Sequence, residues 1–98
     1  MMGVEYIASI AETDYPAFRM IITTTLPNDY QMWLCVRERG KFRAKAERQA
    51  EIAEVEVTPM EFGRYCKTLR RPDFSIAGLD RYAREKANFR PGAALKAS

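Results

Sequence analysis

The 98-residue chain contains no histidine. That absence removes the one side chain that ordinarily titrates near neutral pH. With it go Ser–His and Cys–His nucleophile pairs and every histidine-ligated metal site. Cysteine is scarce too. Cys35 and Cys66 are too few for a disulfide framework and lack the CxxC spacing of a structural metal site. Both read as buried thiols of a reducing compartment. The five glycines (Gly3, Gly40, Gly63, Gly78 and Gly92) never cluster, so no phosphate-cradling P-loop or GxGxxG turn can be built from them. No run approaches the roughly 18 apolar residues of a membrane helix. The opening Met1-Met2-Gly3-Val4-Glu5 lacks the basic and then apolar build of a secretory signal. The expectation is a cytoplasmic, non-catalytic protein with no membrane span, no metal and no cofactor.

What is present is the composition of a globular chain, 47% hydrophobic and 30% charged. One small domain over residues 1–90 is expected, with 91–98 (PGAALKAS) a flexible tail. Charge is unevenly spread: residues 1–36 carry one base against four acids, and residues 37–98 carry fifteen bases against nine acids. Such asymmetry can present a cationic surface to phosphates or to an acidic protein.

The clearest local signal lies at residues 53–62. Ala53-Glu54-Val55-Glu56-Val57 alternates apolar and acidic, the pattern of a half-buried strand over 53–58. Thr58-Pro59-Met60-Glu61 then reads as a capping box with proline at the first helical position. Val57 and Phe62 are spaced as the matching hydrophobic staple. The helix that follows runs over 59–70, with Phe62, Tyr65, Cys66 and Leu69 on its buried face and Arg70-Arg71-Pro72 as its stop.

Three more helices are predicted. One covers 14–22, starting at Thr13-Asp14-Tyr15-Pro16 and yielding before the β-branched threonines at 23–25. A long one covers 28–50, capped by Asn28 or Asp29. A hairpin about Arg39-Gly40 is its competitor, without Asn-Gly or Asp-Gly turn chemistry to support it. The last covers 75–88, capped by Ser75. The strand at 53–58 needs a neighbour. The choices are Val4–Ile10, Ile21–Thr25, or the same strand of a second subunit. The fold class is therefore α+β, predominantly helical, with four helices and a minimal sheet.

On the long helix, 100° per residue sorts the side chains into faces. Cys35, Arg39, Phe42, Ala46 and Ala50 form a stripe expected to pack inside the chain. Arg37, Lys41, Lys45 and Arg48 form a row nearly opposite, with Arg39 and Arg43 alongside. Tyr30–Val36 is apolar all round, which predicts burial. Glu51, Glu54, Glu56 and Glu61 read as a solvated face, Glu61 being occupied in the capping box. The six cations Arg37, Arg39, Lys41, Arg43, Lys45 and Arg48 are the candidate binding residues. By elimination, the reading is a small regulator, adaptor or inhibitor that binds another protein or itself, expected as a homodimer. The alternative is a nucleic-acid-binding accessory protein that grips phosphates with the same row.

Overall fold

The structure is a computed structural model that describes residues 3–23 and 25–89. The proposed tail at 91–98 and Thr24 lie outside the described residues. Chain order is strand β1 (Val4–Ser9), a 3-10 turn (Glu12–Asp14), helix α1 (Tyr15–Ile21), helix α2 (Tyr30–Arg48), strand β2 (Glu51–Glu56), helix α3 (Pro59–Lys67) and helix α4 (Ile76–Phe89). The fold class is the one the sequence predicts: predominantly helical α+β with a two-stranded sheet.

β2 finds its neighbour in β1, the first of the candidate mates. The strands run parallel, from Val4 opposite Glu51 to Ser9 opposite Glu56. β2 therefore begins two residues earlier than the alternation alone suggests. The long helix ends at Arg48 because Gln49 turns left-handed, at φ 50° and ψ 38°. That reversal sends Ala50 into the interior and releases the chain into β2. The competing hairpin about Gly40 is absent, since α2 passes through that glycine unbroken. α3 stops at Lys67, three residues short of the predicted end, with Thr68 Oγ1 donating back to the Tyr65 carbonyl at 2.7 Å.

Helix starts follow local chemistry. Asp29 caps α2, its carboxylate accepting from the Met32 amide at 2.7 Å. The box at Thr58 and Glu61 is complete, with the Glu61 carboxylate accepting from the Thr58 amide at 2.9 Å and Thr58 Oγ1 from the Glu61 amide at 3.3 Å. Ser75 Oγ accepts from the Gly78 amide at 3.2 Å. Gly78 is required sterically, because a Cβ there would run into the Asp73 carbonyl.

Alternation along the sheet sets its two faces. On one, Ala8 and Val55 lead into Ile10 and Val57, which join Phe18, Ile22, Phe62, Cys66, Leu79 and Ala83 in the core. α4 lies along β1 on this side, and its Asp80 accepts from the Ala8 amide at 2.9 Å. The opposite face carries Glu5 and Glu54, which both reach toward α2. Trp33, 1% exposed, anchors α2 against Tyr15 with ring centroids 6.3 Å apart.

Candidate functional site

The inward face of α2 is the cationic one. Arg37 forms a bidentate pair with Asp80 at 2.7 and 2.9 Å, and its guanidinium lies 4.2 Å from the centre of the Trp33 ring. Its side chain is only 11% exposed, and its Nε is buried with no hydrogen-bond partner among the described residues. Lys41 bridges Glu38 at 2.8 Å and Glu54 at 3.2 Å. The hydrogen bond to the Glu38 carboxylate raises the Lys41 pKa, burial opposes it, and Glu54 adds to the rise. Arg48 grips Glu5 through Nε at 2.8 Å and Nη2 at 3.0 Å. The hydrogen bond from Arg48 lowers the pKa of Glu5, and the bond to Glu5 raises that of Arg48.

Three of the six predicted site residues, Arg37, Lys41 and Arg48, are thus held by carboxylates of their own chain. The other three, Arg39, Arg43 and Lys45, are exposed. Arg43 reaches Glu47 only at 3.9 Å. The structure does not gather the six into one free patch.

The predicted apolar stripe has the opposite fate. Cys35, expected to be buried, is exposed. Phe42 and Ala46, expected to pack inside the chain, face solvent, Phe42 being 78% exposed. Met32, Leu34 and Val36 are exposed as well, so the all-apolar start of the helix is buried only through Trp33, with Tyr30 half-buried. The reversal has a physical reason. An apolar stripe turns inward when the rest of the fold offers it an apolar seat. Here the seat beside α2 holds Glu5, Glu54 and Asp80, and the basic row matches it in charge. Cys66 is buried as expected, and burial pushes its thiol pKa up. Glu54, read as solvated, takes part in this seat. Among the four glutamates, Glu61 also does more than capping.

Glu61 lies in a cleft of about 700 Å³ beside α3 and α4, where Arg64, Tyr65, Tyr82, Glu85 and Lys86 are its neighbours. The Tyr65 and Tyr82 rings stand 4.7 Å apart. Tyr82 donates to Glu61 at 2.9 Å, Tyr65 donates to Glu85 at 2.7 Å, and Lys86 pairs with Glu61 at 2.7 Å. Sequence inspection missed this convergence, because Tyr82 and Lys86 join Glu61 only when α4 packs beside α3.

The network resembles an acid–base site in composition but not in electrostatics. Burial pushes Glu61 up, yet Lys86, Thr58 and Tyr82 together outweigh it and hold the carboxyl below the ordinary 4.5. Burial, then the bond to Glu85, pushes Tyr65 above its ordinary 10.0. At neutral pH the carboxylate is therefore ionised and the phenol neutral, and neither is poised to exchange a proton.

The lowered Glu61 value carries a stability consequence with a definite sign. Its contribution is complete above the unfolded carboxylate value of 4.5 and is lost as pH falls through the lower folded value. Urea unfolding at about pH 5 and about pH 3 is expected to show a larger loss for the wild type than for Glu61→Gln, whose amide can still complete the capping box. Equal losses would mean that the Lys86 contact does not hold the carboxylate in solution.

The chain matches no protein-family model, no curated protein and no solved structure.

Proposed function

We propose that this chain is a small non-catalytic interaction protein that docks another protein on the outward face of α2. The observation that carries this reading is the exposure of Met32, Cys35, Phe42 and Ala46 along one face of a helix whose opposite face is anchored in the fold. Contiguous exposed apolar side chains rimmed by polar ones are the usual mark of a protein-binding surface. Phe42, with Arg39 and Arg43 beside it, has the make-up of an anchoring residue. The reading moves the working surface from the full basic row to the half of it, Arg39, Arg43 and Lys45, that borders Phe42.

The nucleic-acid alternative has less support. Backbone binding draws its strength from the number of phosphates neutralised, and Arg37, Lys41 and Arg48 are already paired. Cytoplasmic residence is part of the same proposal. Among the described residues, no helix is long and apolar enough to cross a membrane.

A photo-crosslinking residue placed at position 39 in cells tests the proposal. A discrete protein adduct is expected, lost when Phe42→Glu is introduced. Phe42 makes little internal packing, so Phe42→Glu should change the unfolding free energy by no more than about 0.5 kcal/mol. A nucleic-acid adduct, or a protein adduct indifferent to Phe42→Glu, would overturn it.

A further inference from the structure

We infer that the partner seated on α2 is a second copy of this chain, its α2 laid antiparallel across the first. The inference rests on the docking reading of that face given above and adds the identity and direction of the occupant. Met32, Cys35, Arg39, Phe42 and Ala46 recur at alternating steps of three and four, the spacing of a helix–helix seam. A seam confined to one helix is self-complementary only if a two-fold axis brings that helix against itself.

The distribution of charge selects the direction. The exposed cations Arg39, Arg43 and Lys45 lie in the C-terminal half of the seam and its flanks. The half preceding Glu38 presents Met32, Leu34, Cys35 and Val36 without a charge. Parallel pairing would set Arg39 against the partner's Arg39 and align the two helix dipoles. Antiparallel pairing places residues of the first kind of seam position opposite those of the second. Arg39 then meets the partner's Phe42, where a guanidinium can lie against the ring, and Cys35 meets the partner's Ala46. The same register brings Glu38 beside the partner's Lys45, which lies on the same flank of the seam. Glu38 is well exposed, and Lys41 occupies its Oε1 at 2.8 Å, which leaves Oε2 for the partner. Each of these contacts occurs twice under the two-fold axis.

The seam is only about two heptads long, at the small end of specific interfaces, so a dissociation constant on the order of 10 µM is expected. Sedimentation equilibrium on the purified full chain up to about 200 µM should show a monomer–dimer equilibrium that Phe42→Glu shifts to monomer, a loss of about tenfold or more in affinity. Under a mild oxidant the wild type should form no covalent dimer, since antiparallel pairing keeps Cys35 away from the partner's Cys35 and Cys66 is buried. Ala46→Cys should form one, with peptide mapping that joins Cys35 to the thiol introduced at position 46 of the other chain.

Covalent dimers of the wild type through Cys35 would overturn the antiparallel direction. A chain that remains monomeric throughout would overturn self-pairing while leaving the docking reading to the crosslink from position 39. A dimer indifferent to Phe42→Glu would place the pairing on another surface and overturn self-pairing through α2, again leaving the docking reading to that crosslink.

Discussion

Replacing Asp80 by alanine is expected to destabilise the fold by about 3 kcal/mol, because it strands a nearly buried guanidinium without its counter-charge. The carboxylate holds three donors from two elements: both terminal nitrogens of Arg37 on α2 and the Ala8 amide on β1. Asp80 thus ties α4 to the long helix and to the sheet at one point. For a domain of this size, such a loss corresponds to a fall in melting temperature on the order of 15 °C. The double replacement Arg37→Met with Asp80→Asn should recover most of it, since no charge is left unpaired and the asparagine oxygen still accepts from Ala8. Urea titrations of the three proteins check this. A single-mutant loss below about 1 kcal/mol would show that Arg37 escapes to solvent when its partner is removed.

Trp33→Ala carries the second large expected effect, about 3–5 kcal/mol. Trp33 is the only tryptophan in the chain and one of the largest fully buried side chains. It seats α2 against Tyr15 of α1 while its own face supports the Arg37 guanidinium. Truncation therefore opens a cavity and removes the ring beneath a cation that has few other ways to be satisfied. For a domain of this size, a loss of that order lowers the melting temperature on the order of 20 °C. Trp33→Phe should cost less than half as much by far-UV circular dichroism melts, since most of the volume is kept. Because Trp33, Arg37 and Asp80 touch in sequence, losses at Trp33 and Asp80 should fall short of additivity. A fully additive pair would argue that the ring does not support the guanidinium.

The contrast between what the sequence revealed and what it hid turns on the reach of each interaction. The Thr58–Glu61 box, the Asp29 cap and the Ser75 cap close within three residues, and all were legible from spacing. The orientation of α2 was not. It depends on Asp80, Glu5 and Glu54, and the first two lie 43 positions from the arginines they bind. A helical wheel sorts residues into faces but says nothing about what the facing element carries. Arg37 and Phe42 were therefore assigned to the right faces and the wrong environments. Cys35 shows the same failure, as its apolar neighbours on the wheel turned out to be solvent-facing ones. The sheet was legible in part: Val4–Ile10 was among the candidate mates of the strand at 53–58, but nothing local to either segment fixes the choice, the parallel direction or the register.

That pairing governs how the chain can reach its native state. Parallel strands cannot be linked by a tight turn, so residues 10–50 must first be brought round before Val4 meets Glu51. The closure costs entropy that a bundle of neighbouring helices would not spend, and folding should be slower than the helical content alone would suggest. On the ribosome, Val4–Ser9 emerges ahead of its mate and waits unpaired with it until residue 56 has been synthesised and has left the exit tunnel. During that interval the segment VEYIAS is an exposed strand of the kind that chaperones shield and aggregates recruit.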